Sequence, residues 1–320
     1  MRWIAFAFGL AAAACTGPGS KTSVNPAASQ SQDPVIVILK SSDNPLLNVP
    51  VEVFRAQTTE FASIHEMVLG DNDLMEAIEA LEPDLVFSLG ARATNFAQTE
   101  LVDTPCVFTL VVNHERIGAL DASRSTGVAL EVPAVAEFTQ FKIAVPTMKH
   151  VFTVVDAASD AARIAKLRKD LQMLGIQLTV ERVSNAVQLK NALASRPLEV
   201  DALWLPTDPS LLNQQNFEVF RSESSRGGLP LLASLSDEFV KAGALVGVSV
   251  DFTTLGSQSA VLARSILLSG TDPAQLDVQD PIGVRLVVNA DVADDLGHEI
   301  PEDAYPFIND FVQTRVGDAR

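Results

Sequence analysis

From residue 34 onward, short runs of branched apolar residues alternate with segments of helical spacing, and nearly every run ends in a small or polar residue. Residues 35–39, 84–89, 105–112, 150–155, 176–183, 200–205 and 229–233 are such runs, and 51–54 reads the same way. In most of them apolar residues do not alternate with polar ones, the pattern of strands buried on both faces. Between them, residues 71–81, 93–100, 134–145, 161–174, 186–194 and 210–224 carry apolar residues at helical intervals. Gly175 follows the fourth of these where a helix C-cap belongs. Strand and helix in alternation predict an α/β chain of two successive doubly wound parallel sheets.

Such sheets bind ligands beyond the carboxyl ends of their strands. The residues there are Ser41, Ser42, Gly90, Ala91, Asn113, Asp156, Thr207, Asp208 and Ser234. Each also suits a helix N-cap or its flank, so cap and ligand contact both stand for every position taken singly. Tips from both halves of the chain together point to a cleft between two lobes.

The N-terminal stretch has a different character. Arg2 precedes an apolar segment over residues 3–14, and small residues lead to Cys15. This is the layout of a secretory signal. Ala12-Ala13-Ala14-Cys15 resembles a lipoprotein signal, whose cysteine becomes lipidated; an ordinary cleaved signal is the alternative. Residues 16–33 are rich in Ser, Pro, Gly, Gln and Asn, the composition of a flexible tether. Cys106 then stands in an apolar run and reads as core packing.

A formal charge of −17 over 320 residues disfavours nucleic acid and anionic lipid surfaces as partners. The membrane is expected only through the N-terminal anchor. Catalytic and metal-binding patterns are missing: His65-Glu66 lacks a second histidine four residues on, and the four histidines are scattered. No glycine-rich loop ends in Lys-Ser/Thr, and Gly256-Ser257-Gln258-Ser259-Ala260 lacks the closing glycine of a nucleophile elbow. The expectation is a protein that is not an enzyme and needs no cofactor. Outside the first fifteen residues, the tryptophans and tyrosines reduce to Trp204 and Tyr305, which disfavours a stacked sugar. Trp204 itself reads as core or as the wall of an apolar pocket.

The segment VDALWLPTDPSLL (200–212), the later KAGAL (241–245), Asp251 and Leu255-Gly256 resemble the ABC-transporter substrate-binding proteins of the tryptophan/tyrosine-binding type. LVVNADVADDLGHEIP (286–301) resembles the end of that family, and DLVFSLGARAT and TPCVFTLVVN fall upstream in the right order. The resemblance covers about residues 84–301. It implies a type I periplasmic-binding-protein fold, two lobes joined by three hinge crossings. By that analogy a signal would take 1–15 and a tether 16–33. Lobe one would take 34–128 plus 244–272, and lobe two 129–243 plus 273–320.

The resemblance further implies a lipid-anchored protein of the periplasm or cell envelope. It would capture a small, amino-acid-like ligand for a permease and ATPase. A ligand-sensing or protein-binding lipoprotein on the same fold is the alternative. Under this reading the helix starts at Gly90–Thr94 and Thr207–Asp208 offer N–H donors to a carboxylate. Asp208 and Asp156 suit an ammonium, as would Asp251, for which a hinge or cap role is equally open. Ser234 and Ser236 are hydrogen-bonding candidates, Ser236 being also a good N-cap. Glu131, beside the first crossing, faces either cleft or solvent. Two departures from the family stand out: the first strand–helix unit looks too short for a crossover helix, and Asn113-His114 replaces the family's usual Asp-Pro.

Overall fold

The computed structural model describes residues 33–117, 120–235 and 237–313; Cys15, the signal, almost all of the tether and Ser236 lie outside them. In the first half, β1 (Val35–Lys40), α1 (Asn48–Thr58), β2 (Ser63–Val68), α2 (Leu74–Leu81), β3 (Leu85–Leu89), α3 (Ala91–Glu100), β4 (Cys106–Thr109) and β5 (Ser125–Gly127) follow in order. Their strands make a sheet of order β2-β1-β3-β4-β5 with every pair parallel. Successive residues of β1 feed opposite faces: Ile36 and Ile38 pack with Phe54 and Phe87, whereas Val37 and Leu39 pack with Val86 and Phe108. That two-sided burial is why the run carries no polar alternation.

The second half contains α4 (Ala134–Ala144), β6 (His150–Asp156), α5 (Ala161–Met173), β7 (Gln177–Val183), α6 (Ala186–Ala194), β8 (Ala202–Leu205), α7 (Gln214–Gly227), β9 (Leu231–Ser234) and α8 (Asp237–Lys241). It continues with β10 (Val246–Val250), α9 (Phe252–Leu267), β11 (Val284–Asn289), α10 (Ala290–Leu296) and β12 (Asp310–Val312). The sheet order is β12-β11-β10-β9-β8-β6-β7, with β11 antiparallel to β10 and the other pairs parallel. Numbered within its own sheet, the first half has the doubly wound order 2-1-3-4-5, and the second repeats it and adds β11 and β12 beyond its fifth strand.

Three segments pass between the sheets. The first follows β5, and Ala129 N donates to Gln279 O at 2.8 Å within it. The second is the junction of β10 and α9, where Asp251 N donates to Gly283 O at 3.0 Å. The third, ahead of β11, is clasped by Gln258 of α9: its Nε2 donates to Asp280 O at 3.0 Å and its Oε1 accepts from Ile282 N at 3.1 Å. The crossings are thus hydrogen-bonded to one another.

Three expectations are corrected. Residues 51–54 lie in α1, with Val51 and Phe54 both buried; a stretch of four residues does not separate a period of two from one of 3.6. The strand they seemed to form is β2, an edge strand whose half-exposed His65 and Glu66 disguise it. The first crossover is therefore a regular strand–helix–strand unit, and that supposed departure from the family disappears. Val246–Val250, expected with the first lobe, pairs inside the second sheet. Leu276 and Val278, expected with the second lobe, pack against the first-sheet cores. The chain changes sides at Asp251 and again near Gly283, because α9 buries Leu255, Leu262 and Ala263 beside Ile36 and Phe54.

Candidate ligand site between the two sheets

In each sheet the strand order reverses beside its first strand, and the crevice at such a switch point is where doubly wound folds take ligands. In the first sheet this point lies between the ends of β1 and β3, at Ser41 and Gly90. The Ser41 hydroxyl accepts from Ala93 N at 2.9 Å and so caps α3 from another strand. Gly90 has φ +87°, and a Cβ there would stand 2.8 Å from Ser41 Oγ. The close approach and the left-handed backbone together require glycine. Ala91 and Ser42 are exposed at this edge. Arg92, in the first turn of α3, reaches back to Ser41 O at 3.5 Å.

Thr94 does not face the cleft. It is fully buried, 2.9 Å from Ser88 Oγ, and donates to Gly90 O at 3.0 Å. Ser88 also meets Cys106, whose thiol burial pushes up to about 11, so that cysteine is a core residue.

The second switch point lies between β6 and β8, at Asp156 and Pro206–Asp208. Asp208 is 8 % exposed. Its Oδ1 accepts from Ser210 N at 3.0 Å and Ser210 Oγ at 2.8 Å, while its Oδ2 accepts from Asp156 N at 3.5 Å. It closes a turn; the α7 cap is Asn213, which accepts from Asn216 N at 2.9 Å. The expected cap and helix start at 208–210 are therefore displaced by several residues. Thr207 is half-buried beside it. Asp156 Oδ1 accepts from Ala158 N at 2.7 Å, in a loop that Arg182 holds through the carbonyls of Ala157 and Ser159. A cavity of about 140 Å³ opens beside Asp156, between Asn185, Ser210 and Asn216.

The fourth-strand tips of the two sheets mirror each other. Leu110 follows β4 with φ +57° and Leu235 follows β9 with φ +78°. Both leucines pack, with Val112, Val132 and Phe252, on the first-sheet core. Strained backbone at bulky residues is a mark of functional edges. Beyond Leu110, Asn113 is 6 % exposed, and its N–H donates to the Glu131 carboxylate on the first crossing. Arg163, on α5 of the other lobe, donates from Nη1 to Asn113 Oδ1 at 2.8 Å. His114 Nδ1, next in the chain, is buried with no hydrogen-bond partner among the described residues.

Ser234 is 2 % exposed and its hydroxyl is engaged: Trp204 Nε1 donates to it at 2.9 Å and it bonds the Glu137 carboxyl. Burial pushes Glu137 up to about 8, against the hydrogen bonds from Ser234 and Trp204 that pull it down. Trp204 stands edge-on to Phe138, centroids 5.0 Å apart, and is core. Asp251 caps α9 by accepting from Thr253 N at 2.8 Å, at the second crossing. Of the residues expected at the site, Ser41, Ser42, Gly90, Ala91, Asn113, Glu131, Asp156, Thr207 and Asp208 line strand ends or a crossing. Thr94 and Ser234 lie beneath the surface, and Asp251 sits in the hinge. Arg92, Arg163 and Glu137 were missed. A cation in the first turn of a helix opposes the helix dipole, and that placement is the signal that Arg92 and Arg163 carried.

Two doubly wound lobes joined by three hydrogen-bonded crossings define a type I periplasmic-binding-protein fold, a class of two-lobed binding proteins. The chain belongs to the ABC transporter substrate binding protein family, whose model matches residues 70–306. Among solved structures, the fold is similar to an ABC domain from Streptococcus pneumonia in complex with L-Trp, at 19% identity and TM-score 0.59 over 87% of this chain and 100% of that one. It is also similar to a ligand-free, open substrate binding protein with adhesive properties from Clostridium difficile, at 17% identity and TM-score 0.70 over 88% and 100%. A conserved domain protein from Vibrio cholerae gives 18% identity and TM-score 0.59 over 88% and 100%. No curated protein matches the sequence. No helix among the described residues is long and apolar enough to cross a membrane, and no group of three or more metal-ligating side chains occurs among them.

Proposed function

We propose that this protein captures an amino-acid-like solute between its lobes and delivers it to an ABC permease and ATPase, held at the cell envelope by a lipid on Cys15. The observation that carries the ligand class is the opposite polarity of the two switch points. The first lobe offers Ser41 and the guanidinium of Arg92 at its tip. The second offers two adjacent carboxylates, Asp156 and Asp208. A zwitterion spanning the cleft would place its carboxylate on the first and its ammonium on the second, each as a charge-assisted hydrogen bond. Leu110 and Leu235 supply apolar surface for the remainder of the ligand.

The test is a thermal-shift screen of the chain against amino acids, nucleosides and sugars. A true ligand at ~100 times its dissociation constant adds about 2.7 kcal/mol of stability. Asp156→Asn keeps an acceptor for Ala158 N while removing the charge. It should abolish the shift with amino acids and leave the ligand-free protein unchanged. No shift with any solute, together with a stable protein partner in pull-downs, would overturn capture in favour of a protein-binding role. For the anchor, Cys15→Ser should release the protein from the membrane fraction.

A further inference from the structure

Arg163 is exposed, lies in the first turn of a helix whose dipole disfavours it, and gives its guanidinium to the other lobe. Its acceptor is held from behind. Asn113 sits in the left-handed region at φ +56° and donates its own N–H to Glu131, on the segment about which the lobes are joined. Arg163, Asn113 and Glu131 therefore form a continuous chain from α5 of the second lobe, through the β4 tip of the first, to the first crossing. Neither Arg163 nor Asn113 serves its own helix or strand by this contact. α5 is already capped by Asp160, which accepts from Ala162 N at 2.9 Å.

We propose that Arg163 is a positioning residue for closure: its bond to Asn113 is an interlobe clasp that favours the approached arrangement of the lobes before ligand enters. Acting through Asn113 and not on ligand, it sets the fraction of molecules competent to bind. Apparent affinity scales with that fraction. A neutral amide as acceptor keeps the clasp weak enough to open; a carboxylate in its place would form an ion pair with Arg163. The proposal rests on the reading of the cleft as the ligand site only for its consequence on affinity. The clasp itself is measurable without ligand.

Pulsed-EPR distances report it directly. Spin labels are placed at Glu79→Cys on α2 and Lys190→Cys on α6, both exposed, in the full chain carrying Cys15→Ser, with Cys106 left buried. Arg163→Ala should lower the population of the shorter interlobe distance at least about fivefold, the small end of ordinary coupling between sites. Asn113→Asp should raise that population at low salt and lose the gain at high salt. Combining it with Arg163→Ala should erase the effect, and Arg163→Lys should restore part of it. Identical distance distributions for the parent and Arg163→Ala, with Asn113→Asp also silent, would overturn the clasp. Because no ligand is present, that failure would leave solute capture standing, and an empty ligand screen would leave the clasp standing.

Discussion

The indole Nε1 of Trp204 donates to Ser234 Oγ at 2.9 Å, and through that hydroxyl the β8 strand is tied to Glu137 in the first turn of α4. The carboxyl lies directly after the first crossing and beneath the edge of the second sheet, where water does not reach it. Trp204 and Ser234 make the burial tolerable by supplying hydrogen bonds, and Phe138 covers the indole from the side.

This network makes stability depend on pH with a defined sign. Burial holds Glu137 at about 8, against 4.5 for the free side chain. The folded protein keeps a proton that the unfolded chain releases above its ordinary value. The contribution is complete below about pH 4.5, declines as pH rises, and is lost once pH passes about 8. Urea midpoints should fall across that window. In Glu137→Gln the fall should be shallower, and the variant should overtake the parent at pH 8 by roughly 1 kcal/mol or more, a buried amide being cheaper than a buried charge. Parallel curves for the two proteins would assign the slope to other groups.

Asp208 has a different weight from the one its helix-cap appearance suggests. At 8 % exposure it satisfies Ser210 N and Ser210 Oγ within its own turn and reaches Asp156 N at the end of β6. Asp208→Ala should lower stability by about 1 kcal/mol, since it removes the hydrogen bonds that close a part-buried turn. Asp208→Asn keeps an acceptor for one of them and should lose less. Denaturant unfolding of the two variants measures the difference. Equal losses would mean that charge, not hydrogen bonding, is the residue's contribution.

The doubly wound architecture was legible because a strand buried on both faces, such as residues 36–39, excludes polar residues wholesale. The same physics hid β2, whose outer edge tolerates Ser63, His65 and Glu66. The strand tips were legible as small and polar, yet the distinction between a tip facing the cleft and one beneath it was not. Thr94 and Ser234 look like Ser41 and Thr207 in sequence, but Ser88 and Glu137 claim their hydroxyls. Those partners come from positions that only the folded chain brings near. Arg163 is the opposite case, a residue with a local electrostatic oddity whose meaning needed Asn113 at 2.8 Å, fifty positions earlier.

Gly256 marks a close approach of α9 to α1. A Cβ there would stand 2.5 Å from Pro50 O and 2.9 Å from Pro50 Cα, both backbone atoms with no side-chain freedom to yield. Gly256→Ala raises helix propensity and would normally stabilise a helix interior by about 1 kcal/mol. Here the clash should dominate and the variant should lose roughly 1–3 kcal/mol, as overpacked cores do. Thermal unfolding decides it. A stabilised variant would show that α9 can slide along α1 without loss.

Leu235 offers a test in which the usual ranking of two small residues reverses. Its φ of +78° is unfavourable for any residue with a Cβ, while its side chain packs on the core of the opposite lobe. Leu235→Ala and Leu235→Gly both remove that packing, so both should be less stable than the parent. At an ordinary position alanine would be the better of the two, because glycine leaves the unfolded chain more freedom. In the left-handed region glycine escapes a penalty of about 1–2 kcal/mol that alanine still bears. Leu235→Gly should therefore be the more stable variant in urea, by about 1 kcal/mol after the entropy of glycine is set against the relieved strain. If alanine proves the more stable, the turn after β9 relaxes once the leucine is gone, and the strain belongs to the packing of its side chain across the cleft.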